Sequence, residues 1–368
     1  MNYGLPVFLL LCWLLAGCTS KSEPILIGLS VNLTGKGGTA GEYIREGAML
    51  AVEEVNRRGG VNGRPLKLLV RDDKNSAEGI RQADQELMQE GVVAIIGHSY
   101  SDSTLLAYPQ VMANGKTLLI TGYTATDKLT GRDDLFFRTS VSTSAYSAAT
   151  VRLLNRRGIR SITLLQDKAN FSFSEEITAG IRQRFDGTVS VVTTDSRAEI
   201  SWDGVVRQIQ RQKSGAVFLL TEVATSGIAA QKLRSAGYQG DLLATLWAQT
   251  PDLIKFGGAA VEGLTILTFI EPDNPRPAYR RFAATIEKRF NKAATARTDR
   301  AYELVTILAE ALERAPAHTA TELKTALLRE PFETLMGTVR FDRFGDVERP
   351  IFTVRVLDGR FINGGEVK

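Results

Sequence analysis

Residues 66–107 read LKLLVRDDKNSAEGIRQADQELMQEGVVAIIGHSYSDSTLLA. Two runs, LKLLVRDD (66–73) and VVAIIG (92–97), read as strands. Between them Ile80, Ala83 and Leu87 recur at spacings of three and four, which places them on one face of a helix. Ser76 stands at the helix N-cap and Gly91 just past its end. Strand, helix, strand is the βαβ unit, which builds parallel sheets covered on both faces. The second run ends at Gly97, and Ser99, Tyr100, Ser101, Asp102, Ser103 and Thr104 follow where the next helix should begin. The alternation extends outward. ILIGLSV (25–31) reads as a strand, and Ile44, Ala48, Ala51, Val52 and Val55 mark a helix that ends at Gly59–Gly60. TLLITG (117–122) is a further strand. FFRTSVSTSAYS (136–147) reads as a polar crossing, after which the rhythm restarts. SITLLQD (161–167), TVSVVTTD (188–195), GAVFLLT (215–221) and GDLLATL (240–246) are strands, with a helix over 174–185. Helices follow over 277–290 and 299–314, and 337–361 reads as strands and turns. The expected fold class is α/β with two doubly wound parallel sheets.

The chain has 368 residues, 43% apolar and 23% charged, with a formal net charge of +4. No long block of like charge occurs; Arg156–Arg157 and Arg280–Arg281 are isolated pairs. A nucleic-acid partner needs a clustered basic face and is not expected. At the N-terminus VFLLLCWLLA (7–16) spans about 15 Å as a helix, half of a ~30 Å hydrocarbon core, which suits a signal-peptide core rather than a permanent span. LAGC (15–18) follows at once and resembles the lipobox of bacterial lipoproteins. Residues 1–18 are therefore expected to be a lipoprotein signal peptide with Cys18 as the lipid anchor, and 19–24 a polar tether. The segment MNYGLP departs from the usual pattern by lacking Lys and Arg. The reading implies an exported protein, held on a bacterial membrane by lipid only and facing the periplasm or exterior. Cys12 lies in the segment to be removed, so the mature chain offers no cysteine nucleophile and no cysteine-based zinc site.

GGVNGRPLKLLVRDDKNSAEGIRQADQEL (59–87), GVVAIIGHSYSDSTL (91–105) and DLFFRTSVST (134–143), in that order behind a lipobox, resemble the branched-chain amino-acid (Leu/Ile/Val) class of type I periplasmic solute-binding proteins of ABC transporters. The resemblance runs from about residue 24 to the C-terminus. It implies two doubly wound lobes joined by three crossings, lobe 1 from 24–138 plus 270–340 and lobe 2 from 139–269 plus 341–368. It also implies an amino acid or related small carboxylate held between the lobes, and delivery of that ligand to ABC permease subunits. Ser101 matches a ligand-holding serine, with Tyr100 beside it. Tyr123, Thr124 and Ala125 match a second ligand loop, Ala125 standing where threonine is usual. Phe171 falls where tyrosine is usual. Ligands of open α/β sheets gather at strand carboxyl ends, which is where these loops lie. A helix start there would offer its free N–H groups and dipole to a carboxylate; the alternative is that Ser101 or Ser103 only caps the helix.

Two departures bear on the ligand. Amino-acid binders of this family carry an acid for the ammonium, and the matching position here is Leu246, followed by Trp247. A tyrosine of the family is replaced by Ala40. Glu222, at a neighbouring strand end, is the candidate substitute for the missing acid, and its alternative role is a solvated loop residue. The competing expectation is a ligand without an amine, with Trp247 and Phe171 as apolar walls.

Enzyme readings are weaker. Gly35-x-Gly37-x-x-Ala40 followed by Asp72 fits a loose dinucleotide pattern, but doubly wound sheets share this turn whatever they bind. His98 and His318 are the only histidines, no acid is obviously placed to orient His98, and no GxSxG elbow exists. Asp72–Asp73 and Asp133–Asp134 read as turns rather than metal ligands. No catalytic residue, metal or cofactor is expected. A ligand sensor of the same fold, signalling to a membrane receptor, is the alternative to a transport component.

Overall fold

The computed structural model describes residues 22–35, 37–272 and 274–368. The proposed signal peptide, Cys18 and the first half of the tether lie outside them. Five strands, β1 (Ile25–Val31), β2 (Leu66–Asp72), β3 (Ala94–Gly97), β4 (Leu118–Thr121) and β5 (Phe136–Arg138), form an all-parallel sheet in the order 2-1-3-4-5. Seven more form a second sheet in the order 14-13-10-9-8-6-7. They are β6 (Ser161–Asp167), β7 (Thr188–Thr194), β8 (Ala216–Leu220), β9 (Asp241–Thr245), β10 (Thr265–Thr268), β13 (Phe352–Leu357) and β14 (Arg360–Glu366). The last two run antiparallel, closing that edge with a hairpin. A short ribbon pairs β11 (Phe332–Thr334) with β12 (Gly337–Val339).

The helices are α1 (Gly38–Arg57), α2 (Ala77–Gln89), α3 (Ser101–Asn114), α4 (Thr143–Arg156), α5 (Phe171–Arg184), α6 (Trp202–Gln212), α7 (Val223–Ser235), α8 (Pro251–Gly257), α9 (Pro277–Phe290), α10 (Ala296–Arg314) and α11 (Ala320–Arg329). The chain passes between the sheets after β5, after β10 and after β12.

Alternation within each strand explains the continuous apolar runs. In the first sheet Ala94 and Ile96 join one buried cluster with residues of α1, α10 and α11, while Ile95 joins the opposite cluster with Leu87 and Val111 of α2 and α3. In the second, Phe218 packs with Ile177 and Ile181 of α5, while Val217 and Leu219 pack with Ala229 and Leu233 of α7. In the central strands both faces are covered, so β3, β4 and β8 read as nearly continuous apolar runs rather than alternating ones.

One sequence expectation changes. Residues 136–138, assigned to a polar crossing, form β5 at the sheet edge; Phe136 and Phe137 are fully buried, and so is Arg138, paired with Asp346 at 2.7 Å. The pair neutralises the one charge that made the segment look solvated.

Candidate functional site

In each sheet the strand order reverses direction at one place, between β1 and β3 in the first and between β6 and β8 in the second. Loops leaving strands at such a switch point diverge and open a crevice at the carboxyl ends. Gly97 ends β3 against β1, where a Cβ would come within 2.4 Å of the Ser30 carbonyl oxygen. The backbone approaches this closely only because no side chain is present. Ser99 follows, and its Oγ accepts from Asn32 N at 3.2 Å, joining the two diverging loops.

Between the sheets lies an inner cavity of ≈ 30 Å³ lined by Ser99, Tyr100, Tyr123, Ala125, Ser140 and Tyr146 on one side, with Asn170, Phe173, Leu246, Trp247, Arg297 and Arg300 completing it. Its aromatic wall is a chain of edge-on contacts: Tyr146 to Phe173 at 6.0 Å, Phe173 to Trp247 at 5.8 Å, and Trp247 to Tyr100 at 6.0 Å between ring centroids. A larger cavity of ≈ 540 Å³ adjoins it, and Tyr100, Trp247 and Arg297 line both. That volume falls in the roughly 300–1,000 Å³ range of small-molecule sites. Ala40, Tyr43, Glu222, Asp252 and Lys255 are among the residues of the outer wall.

Among the described residues the charged groups lining the inner cavity are Arg297 and Arg300, in the first two turns of α10. Thr295 caps that helix, accepting from the Arg297 and Thr298 amides. Arg297 and Arg300 are each only 5% exposed. The Arg300 guanidinium donates to Ala296 O at 2.7 Å and to Gly122 O at 2.6 Å, and lies 4.4 Å from the centroid of the Tyr123 ring. Burial holds its pKa down to about 10, so it remains charged at neutral pH. Among the described residues the Arg297 guanidinium has no hydrogen-bond or ion-pair partner, and the buried Trp247 Nε1–H is likewise unpartnered. Among the described residues no carboxylate lines the inner cavity. Its unpaired groups are donors, which call for acceptor atoms.

Of the residues singled out from sequence, Tyr100, Tyr123, Ala125 and Trp247 line the inner cavity, and Glu222 lines the outer one. Three sit elsewhere. Ser101 is fully buried and its Oγ accepts from Ala125 N at 3.2 Å, so the hydroxyl joins the two loops instead of facing the cavity. Thr124 is buried against Thr104, Oγ1 to Oγ1 at 2.5 Å. Phe171, at the first turn of α5, is 45% exposed, and Phe173 takes the wall position. One helical turn separates residues on opposite sides by two positions, which a sequence match does not resolve.

Glu222 is the N-cap of α7. One oxygen accepts from Ala224 N at 2.9 Å, the other from Thr225 N and Thr225 Oγ1 at 2.6 Å each. Its charge is thus compensated by the helix start. Asp72 likewise is committed to its own loop, accepting from Leu33 N at 2.9 Å and Thr34 Oγ1 at 2.5 Å, rather than standing free for a ribose. His98, for which no orienting acid was evident, has one: Asp84 Oδ1 lies 3.1 Å from Nε2, both side chains fully buried. The pair is absent from both cavity walls. Among the described residues no cluster of three or more His, Cys, Asp or Glu is placed to hold a metal, and no helix is long and apolar enough to cross a membrane.

A family profile described as periplasmic binding protein matches residues 24–360. The leucine-, isoleucine-, valine-, threonine- and alanine-binding protein of Pseudomonas aeruginosa is 24% identical over 346 residues, covering 92% of this chain and 91% of its own. Among solved structures, a branched-chain amino acid transporter substrate binding protein of Streptococcus pneumoniae in complex with isoleucine superposes with a TM-score of 0.84 at 18% identity, covering 92% of this chain and 99% of its own. A solute binding protein of an ABC transporter from R. palustris in complex with benzoate gives a TM-score of 0.84 at 17% identity, covering 94% and 96%. These two likenesses establish the fold, and the profile spans nearly the whole described chain. This chain therefore belongs to the periplasmic binding protein family, in the branched-chain amino-acid class of the type I fold, a class of binding proteins and not of enzymes.

Proposed function

We propose that this protein is the solute-binding component of an ABC transporter, that it is anchored to the membrane through lipid on Cys18, and that it binds a small organic carboxylate lacking an ammonium group. The observation that carries the reading is the polarity of the inner cavity: Arg297, Arg300 and the Trp247 N–H line it together with aromatic rings, and among the described residues no carboxylate does. An ammonium placed there would lose its hydration without gaining a counter-charge, whereas a carboxylate gains charge-assisted hydrogen bonds. Leu246, at the position of the family's acid, is part of that wall. Glu222, the candidate replacement, is committed to capping α7. A relative in complex with benzoate shares the fold, which is compatible with an acid of this kind.

The inner cavity, ≈ 30 Å³, is room for a water or two. Binding therefore moves its walls, and displacement of Tyr100, Trp247 and Arg297 joins it to the outer cavity. Parting of the lobes, followed by closure on the ligand, is the hinge motion that accomplishes this. Titration calorimetry of the mature protein with benzoate and with leucine tests the reading. Benzoate or another amine-free acid should bind at least tenfold more tightly than leucine. Tighter binding of leucine than of every amine-free acid contradicts it.

A further inference from the structure

We infer that the ligand carries two acidic groups on an apolar frame, one held at Arg300 and the other at Arg297, with hydroxyls and the Trp247 N–H of the cavity wall adding uncharged donors. The inference rests on the carboxylate reading above and narrows it to a dianion. It starts from a charge count over the first two turns of α10. Arg297 and Arg300 contribute two positive charges, and the helix start adds roughly half a charge more. The acids nearest in sequence are engaged elsewhere. Asp299 accepts from Tyr279 Oη at 3.0 Å and does not line the inner cavity, its charge acting on Arg300 without an ion-pair contact. Glu303 is paired with Arg349 at 2.7 Å and accepts from Thr334 Oγ1 at 2.8 Å. Neither arginine has a salt-bridge partner among the described residues, although each is 95% buried. A monoanion would leave one buried guanidinium uncompensated, which is the costly arrangement for an interior charge.

Geometry separates the two acid positions. Arg300 is held rigidly by two backbone carbonyls and the Tyr123 ring, so its remaining edge is fixed. Arg297 has no such tether and lines both cavities, so it can follow a group entering from the outer one. Ser99, Ser140 and the Trp247 N–H lie on other parts of the wall and supply uncharged donors for the second group. The Tyr100, Trp247 and Phe173 rings of the same wall suit a flat or extended apolar spacer.

The test uses the mature protein and matched acids that differ by one carboxylate: benzoate against terephthalate and isophthalate, and hexanoate against adipate. A diacid should bind at least tenfold more tightly than its monoacid partner. Arg297→Gln should bring that ratio to within about threefold, with the unliganded melting temperature measured alongside. If Arg297→Gln does not fold, Arg297→Lys provides the second reading, since it keeps the charge and should retain a diacid preference of at least threefold. Monoacids binding as well as their diacids overturn the dianion while leaving the amine-free reading intact. Leucine binding in preference to all five acids overturns both. A diacid preference undiminished in Arg297→Gln, or absent in Arg297→Lys when Arg297→Gln is unfolded, also overturns the inference.

Discussion

The Asp102 carboxylate, in the first turn of α3, caps a helix of the other sheet: Oδ2 accepts from Phe171 N at 2.6 Å and Oδ1 from Ser172 N at 3.0 Å. The arrangement is reciprocal, because the Asp102 amide donates to Asn170 Oδ1 at 3.3 Å. Two helix starts thus satisfy each other across the cleft, beside the cavity that Tyr100 and Asn170 line. A capping interaction of this kind contributes about 1–2 kcal/mol, a factor of roughly 5–30 in an equilibrium. Asp102→Ala should therefore weaken ligand binding by about that factor and increase the radius of gyration of the unliganded protein. Calorimetry with X-ray scattering checks this, and an unchanged affinity would show that the contact does not favour closure.

Trp247 has two separable roles. Its ring packs edge-on against Tyr100 and Phe173, and its N–H is unpartnered. Trp247→Phe keeps most of the packing and should lower carboxylate affinity about tenfold with little change in melting temperature. Trp247→Ala should cost about 3–5 kcal/mol of stability by leaving a void in the aromatic chain. Thermal melts together with calorimetry separate the two.

The exchange of Phe171 for Phe173 is open to a direct comparison. Phe171 is 45% exposed and Phe173 is 6% exposed. Phe171→Ala should change affinity less than twofold, while Phe173→Ala should reduce it at least tenfold and lower the melting temperature by several degrees. Equal effects from the two would contradict the placement of the wall.

Asp299 gives stability a pH dependence. Burial pushes its pKa up to about 7, against the partial relief from the Tyr279 hydrogen bond and the Arg300 charge. A carboxyl raised in the folded state favours folding below its unfolded pKa, near 4, and that contribution is lost as pH rises through about 7. Asp299→Asn should thus resemble the parent protein at pH 4 and exceed it at pH 8, by on the order of 2–4 kcal/mol. Melting curves across pH 4–8 for both proteins measure the difference; a gain confined to pH 4 would contradict the sign.

The alternation of strands and helices was legible because the central strands of each sheet are buried on both faces and read as apolar runs between turn signals. The loops that border the site were legible for a related reason, as they follow strand ends. What escaped was fixed by packing between distant segments. Residues 136–138 looked polar because Asp346, the partner of Arg138, lies 208 positions further on. His98 looked unoriented because Asp84 sits on a separate helix. Arg297 and Arg300 reach the cavity only because the chain returns to the first sheet after β10. A faint signal for them existed: at spacings of three and four they continue the apolar stripe of Leu304 and Leu308, and a cation on a buried helix face asks for an explanation. Ser101 and Phe171 illustrate the opposite limit, since in each case the wall position fell two residues away, at Ser99 and Phe173.

The most direct measurement is native mass spectrometry of the mature protein purified without denaturation, followed by identification of any small molecule it retains. The species expected is an organic acid with no amine, bound in a one-to-one ratio and released when Arg297 and Arg300 are replaced together by glutamine. Retention of an amino acid, unaffected by those replacements and lost in Glu222→Gln, would contradict the assignment of the inner cavity as a carboxylate site.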